Sequence, residues 1–352
     1  IWLFSDSPIQ TQKTWDDLNV VRAHALASFP EMLVASAHSP WMLEYLNNDT
    51  SPAANTNENY ARELLELHTM GVDGGYTQTD VEEVARGFTG WTFYPTSFAQ
   101  TNLRGTFRFN AGNHDTGPKV VLGHIIPGAS GPSGQQDGET VLKILAGHPS
   151  TARFIATKLL RHFWGDEPPE SLIGMVAGVY ALTQGDIKAM LRAIFNPNLN
   201  PPLAPKFKRP LHLIASAIRA TGAALGTPAN MQNILTSAGH LPFNWSPPDG
   251  YPDTLVAWSG LLLPRWSFGA SLMNSEFGST NAVDINAFLA GVPTPLTADG
   301  VVARINDRLL GGRMPGEERA ALAAYLLPNP PTTSRIRESI GLAIASPAFQ
   351  WC

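Results

Sequence analysis

Apolar positions recur at helical spacing over most of the chain and alternate over only one short stretch. Residues 16–28 and 30–37 place apolar side chains three and four apart, and Pro40 with the Asn47-Asn48-Asp49 cluster brackets the helix that follows. Residues 58–70 contain no Gly or Pro, are rich in Leu, Glu, Ala and Arg, and run into Gly71 as a C-terminal stop. This is the clearest helix in the sequence. Past the Gly74-Gly75 turn, Thr77 or Thr79 can cap a helix over 80–88 that Gly90 ends. The pattern changes between 92 and 138. There Thr106-Phe107-Arg108-Phe109 alternates and 119–126 reads as a strand, which predicts a small β-hairpin near residues 105–126, and a Gly/Ser/Pro-rich loop closes this insertion over 127–138. Helical spacing then returns over 139–146, 150–164, 169–182, 186–195, 210–221, 228–238, 253–263, 265–274, 297–310, 316–326 and 333–346. With no internal repeat or sustained heptad, the expected fold is mainly α: one irregular multi-helix globular domain over 1–352 carrying a minor β element.

Composition narrows the picture. At 352 residues and 43% hydrophobic, the chain can bury a large core without disulfides or a structural metal. A formal charge of −5, with 24 Lys and Arg scattered along the sequence, gives no footprint for nucleic acid. No apolar run reaches the roughly 18–20 residues that span a bilayer. Ile1-Trp2-Leu3-Phe4 meets Ser5, Asp6 and Ser7 at once, so no charged leader or cleavage site is read there. A single cysteine, Cys352, excludes an internal disulfide framework and a Cys-rich metal site.

Four polar constellations carry candidate chemistry. On the 58–70 helix, Glu58, Arg62 and Glu66 form a ladder spaced by four, while Ala61, Leu64, Leu65 and His68 share the opposite apolar face. The ladder is either a solvated face with ordinary ion pairs or the edge of a pocket in which Glu63 or Glu66 acts as acid or base and Arg62 binds an anion. Glu63, Glu66 and His68 lack the spacing of the helical metalloprotease motif. The loop 110–119 gathers His114, Asp115 and Lys119, able to ligate a metal or form an acid–base pair, or to serve the turn itself. Arg161 and His162 fall where positive charge suits a helix C-terminus. In 243–253, from Phe243 through Trp245, Asp249 and Tyr251 to Asp253, aromatics and carboxylates share a backbone stiffened by three prolines, which suits sugar binding, with Asp253 as a helix N-cap the plainer alternative.

Several stretches together resemble a bacterial family, the domain-of-unknown-function family 1800: NENYARELLELHTMGVDGGYTQTDVEEVARGFTGW (57–91), HDTGPKVVLG (114–123), HPSTARFIATKLLRHFWGDEP (148–168), PPDGYPDTLVAW (247–258) and SPAFQ (346–350). The resemblance implies an exported protein of mainly helical build, secreted, periplasmic or in the cell envelope, often encoded beside a secreted sulfatase-like family and without a general activity or catalytic residue to carry over. It also implies a further segment before Ile1, so the chain reads as a C-terminal portion that associates with that segment or with a larger assembly.

Three functional expectations follow. The first is an enzyme acting on a polysaccharide or anionic glycan, with Glu63, Glu66, Asp115 and Asp249 as acid and base, Arg62, His114, Lys119, Arg161 and His162 holding the substrate, and Trp91, Trp245 and Tyr251 as stacking surface. The second is a metal-dependent enzyme using His68, His114 and His162 with Asp115 or a glutamate. The third is a non-enzymatic envelope or surface assembly component. No resident cofactor is read from the sequence.

Overall fold

A computed structural model describes residues 12–198, 204–224, 226, 228–242, 244–276 and 282–352, so the reading of Ile1–Ser7 and that of Phe243 lie outside the described residues. The chain is mainly α-helical, and no helix among the described residues is long and apolar enough to cross a membrane. It falls into two compact units, 2–203 and 204–352.

The N-terminal unit is a set of helices around one apolar centre, to which Leu33, Leu43, Leu65, Val84, Phe88, Val141, Leu145, Leu160, Val176 and Met190 contribute. Local chemistry starts these helices where the sequence places them. Ser28 and Glu31 form a reciprocal capping box ahead of Phe29–Ala37, and Thr77 and Asp80 form another ahead of Gln78–Phe88. The helix expected over 58–70 is present but changes register. An α-helical turn, Asn59–Glu63, passes into a π-helical segment, Leu64–Thr69, where the Met70 N–H reaches the Leu65 carbonyl at 2.9 Å and the Thr69 hydroxyl the Leu64 carbonyl at 2.6 Å, both five residues back. Gly71 ends it at φ +85°, where a Cβ would lie 2.8 Å from the Phe154 ring.

The β element is two ribbons. Trp91–Phe93 pairs antiparallel with Phe107–Phe109, and Lys119–Val121 with His124–Ile126. A run of three residues such as Trp91–Phe93 is too short to show period-two alternation, so Phe107–Phe109 found its partner where the sequence showed none. The second ribbon turns through Leu122 and Gly123, both at positive φ, the conformation that a two-residue hairpin turn requires.

In the C-terminal unit, helices Pro210–Thr221, Leu262–Met273, Ala298–Leu310 and Thr333–Ala345 enclose Leu272, Val283, Val301, Ile305, Ile340, Ile344 and Phe349. The helix expected over 253–263 shortens to Leu255–Trp258, with Thr254 at the N-cap position one residue after Asp253, and Gly260 precedes a new start at Leu262. The last residues fold back along 206–208. Lys208 N–H meets the Gln350 carbonyl at 2.8 Å, and Lys206 and Cys352 exchange backbone bonds at 3.0 and 2.9 Å. Leu262–Met273 crosses Thr333–Ala345 through two glycines, and a Cβ on Gly269 would stand 2.5 Å from the Gly341 carbonyl oxygen.

Backbone atoms cannot yield as a flexible side chain does, so Gly269→Ala is expected to cost about 2 kcal/mol in urea unfolding, within the range for overpacked cores. An unchanged midpoint would mean that the two helices do not approach this closely.

Candidate functional site

The ladder on the 58–70 helix forms as its spacing predicts. Arg62 pairs with Glu58 at 3.2 Å and with Glu66 at 4.0 Å, and Gln78 closes the group by accepting from Arg62 at 2.9 Å and donating to Glu58 at 2.8 Å. Burial, a hydrogen bond to Glu66 and that residue's charge push the Tyr76 hydroxyl up to about 12, so it stays a donor. On the other face Ala61, Leu64 and Leu65 are buried. His68 is pushed down to about 4 by burial and by the Lys158 ammonium, which keeps it neutral. Glu63 is half-buried on the same helix.

His114, Asp115 and Lys119 belong to a denser arrangement. Lys119 has no exposed surface. Its ammonium donates to the Asp115 carbonyl at 2.5 Å, the Gly117 carbonyl at 2.9 Å and the Asp137 carboxylate at 2.7 Å, so all three donors are used. The same Asp137 oxygen lies 3.2 Å from His114 Nε2 and accepts the Ala129 N–H at 3.3 Å, while His114 Nδ1 faces the Thr89 carbonyl at 2.9 Å. Asp115 accepts both arms of Arg86, Nε at 2.8 Å and Nη2 at 3.2 Å, together with the Gly117 N–H at 2.9 Å. The Arg86 guanidinium holds the Asp115 carboxyl below its ordinary range despite partial burial. Glu83 joins Arg86 at 2.6 Å and accepts the Val120 N–H at 2.7 Å, and Asp80 accepts the Leu122 N–H at 2.7 Å. Asp80 and Glu83 thus hold the second ribbon, and Arg86, three residues further along the same helix, holds the loop that leads into it through Asp115.

The sequence suggests Lys119 as a substrate-holding cation, but the structure buries its charge and commits it to groups of its own chain. The sequence suggests Trp91 as a stacking surface, but the structure buries it wholly between His38, Phe88 and Phe107, with ring centroids 4.8, 4.9 and 5.1 Å away. Arg161 and His162 are exposed in the last turn of Pro149–Phe163, His162 against the Phe163 ring at 4.5 Å. Among the described residues, no group of three or more His, Cys, Asp or Glu side chains is placed to hold a metal ion. Four cavities of the described residues, the roomiest about 720 Å3 beside Tyr180, have linings that include none of the twelve candidate side chains.

Asp249, Trp245 and Tyr251 lie in the C-terminal unit, where they do come together. The Trp245 indole N–H donates to Asp249 at 2.8 Å, and the Trp245 and Tyr251 rings lie 4.9 Å apart. Behind them Tyr251 packs on His240 at 4.5 Å and His240 on Trp258 at 4.9 Å, while the Tyr251 hydroxyl is fixed on the Leu241 carbonyl at 2.7 Å. Asp253 is neutralised by Lys206 at 2.7 Å and Arg209 at 3.5 Å. His240, Asp137 and Arg86 were not singled out from the sequence. An acidic residue near a helix start and an arginine three residues from a glutamate look ordinary, and only long-range contacts distinguish them.

The family model for a protein of unknown function, DUF1800, matches residues 4–351, and the chain belongs to that family. No curated protein matches the chain. No solved structure matches it either.

Breaking a buried ion pair from one side leaves the other charge stranded, so Lys119→Met and Asp137→Asn are each expected to destabilise by about 3 kcal/mol or more in urea, and the double variant by less than their sum. Additive losses would show that the two groups do not act together. Asp115 is depressed when folded, so its contribution is complete above its unfolded value near pH 4 and is lost as pH falls through the lower folded value. Wild type should therefore lose more stability than Asp115→Asn between about pH 5 and pH 2.5, and parallel losses would remove Asp115 from the acid response.

Proposed function

We propose that this protein binds carbohydrate on the aromatic face of its C-terminal unit and does not work as a two-carboxylate glycoside hydrolase. The observation that carries this reading is the Trp245–Tyr251 pair, a half-buried platform whose indole is held by Asp249 and whose phenol is held by a backbone carbonyl. Rings fixed before the ligand arrives lose little entropy on binding, and a flat apolar face beside a carboxylate suits both the C–H and the O–H surface of a sugar. Glycoside hydrolysis asks for more. It needs two carboxyls facing each other roughly 5–10 Å apart across the bond, one of them protonated. Asp115 is held ionised by Arg86, and Asp253, the other carboxylate near the platform, is neutralised by two cations. Metal catalysis has less support than binding, because His114 already directs both ring nitrogens at Thr89 and Asp137.

Binding without turnover fits a component of the cell envelope or of a surface assembly, and in that setting the N-terminal unit supplies a rigid body rather than a reaction centre. Titration of intrinsic tryptophan fluorescence against a panel of neutral and acidic oligosaccharides should find a saturable ligand. Trp245→Ala and Tyr251→Ala should each weaken it by roughly tenfold, about 1.4 kcal/mol. Release of reducing sugar that Asp249→Asn abolishes would restore the hydrolase, and affinities unchanged in both aromatic variants would remove the platform.

A further inference from the structure

A second feature of the C-terminal unit is a concentration of positive charge, of which Asp253 takes up Lys206 and Arg209 but not Lys208. Lys206, Lys208 and Arg209 lead into helix Pro210–Thr221, which carries His212, Ser216 and Arg219 along one face at spacings of four and three. Lys208, His212, Ser216, Arg219 and Cys352 line a pocket of about 560 Å3, with two alanines completing the wall and no acidic side chain in it. Lys208 is 93% buried by its 7% exposure, yet its ammonium has a single hydrogen bond, to the Phe349 carbonyl at 2.9 Å, and otherwise rests 3.8 Å from the Phe349 ring centre. Two of its three donors therefore have no acceptor among the described residues. Arg219 is exposed at the same pocket and forms no ion pair with a described carboxylate.

The surroundings add to this charge. Arg265, 1% exposed, lies over the Phe207 ring at 4.3 Å and bonds Gln350 at 3.3 Å, and its Nε and Nη2 have no hydrogen-bond partner among the described residues. Arg209 Nη2 faces His212 Nε2 at 3.2 Å. Burial, Arg209, His212 and Arg265 together push the neighbouring His240 imidazole down to about 4, as a positive field does. Lys208 is lowered to about 8 by burial, with Cys352 raising it and Arg313 lowering it further. The negative charge at Cys352 offsets Lys208 only in part, and Arg265 has no carboxylate partner among the described residues; incompletely paired buried cations are costly, and a bound anion lowers that cost.

We infer that this pocket is a binding site for a phosphate-bearing ligand of sugar-monomer size, its oxyanion held by Lys208 and Arg219. An ammonium just before the helix and a guanidinium near its last turn, both lining the pocket, suit a tetrahedral group with three free oxygens. The volume is well beyond that of a bare anion and within the range of small-molecule sites. The Ser216 hydroxyl, which donates to the His212 carbonyl at 2.6 Å, keeps its oxygen available to accept from a ligand hydroxyl. This site stands on Lys208 and Arg219 and does not require the aromatic platform.

The test is calorimetric titration of the full chain, at fixed ionic strength, with glucose 6-phosphate, glucose and inorganic phosphate. Glucose 6-phosphate should bind, glucose should not, and inorganic phosphate should bind more weakly, whereas equal binding of inorganic phosphate assigns the pocket to the free anion. Arg219→Gln, at an exposed position, should weaken binding at least tenfold with an unchanged melting curve in the absence of ligand. Lys208→Met should abolish binding, and if it fails to fold, Arg219→Gln decides alone. Trp245→Ala should leave this titration unchanged even where it removes oligosaccharide binding. Binding by neither phosphate, equal binding of sugar and sugar phosphate, or an Arg219→Gln protein that titrates like wild type overturns the proposal.

Discussion

The Asp137 carboxylate is the interaction on which the N-terminal unit's β insertion depends. One of its oxygens accepts from the Lys119 ammonium and from the Ala129 N–H and faces His114, so three separated stretches of chain meet at one point. Lys119 then gathers the carbonyls of Asp115 and Gly117, which fixes the loop that presents Asp115 to Arg86. With water excluded, neither charge can be left alone, and the segments are held together more specifically than apolar contact would hold them. The ribbon that follows could slide along an apolar surface. It cannot slide along Asp80 and Glu83, because each accepts from one particular backbone N–H of the ribbon, while Arg86 fixes the preceding loop at Asp115.

The two buried lysines show opposite solutions to the same electrostatic problem. Lys119 has a carboxylate and two carbonyls, one for each hydrogen. Lys208 has one carbonyl and an aromatic ring, and it borders open volume. A satisfied buried charge is a fastening, and an ammonium with unused donors beside a cavity is open to an anion. The same distinction separates the carboxylates: Asp115 and Asp253 are consumed by arginine and lysine partners, while Asp249 is exposed and spends one oxygen on orienting Trp245.

Local periodicity made most helices legible. Pro210–Thr221 begins at a proline and stops before Gly222 at φ +68°, as the sequence predicts, and the Glu58–Arg62–Glu66 ladder forms at its expected spacing. What escaped was set by contacts distant in sequence. The π-helical turn at Leu64–Thr69 is accompanied by the Thr69 hydroxyl donating to the Leu64 carbonyl, and a threonine near a helix end announces nothing of the kind. Trp91 looked like an exposed platform because tryptophan serves both roles, and its burial follows from His38, Phe88 and Phe107 arriving from three different elements. The Lys206-Phe207-Lys208-Arg209 run was visible, yet a count of cations over the whole chain averaged it away.

The stretches that carry the family resemblance supply Arg86, His114, Asp115 and Lys119 in the N-terminal unit and Asp249, Tyr251 and Trp258 in the C-terminal unit. Polar residues in recognisable blocks invite a catalytic reading, but the first group forms a closed network in which donors and acceptors serve one another. A reacting group must exchange protons or charge with a ligand, so a side chain whose capacity is spent within the fold is poorly placed to react. The C-terminal unit retains unspent capacity, in an aromatic face with one exposed carboxylate and in a cationic pocket with free donors. Recognition chemistry is therefore to be sought where the polar groups are incomplete, and the polar cluster around Asp137 is accounted for by holding its backbone in place.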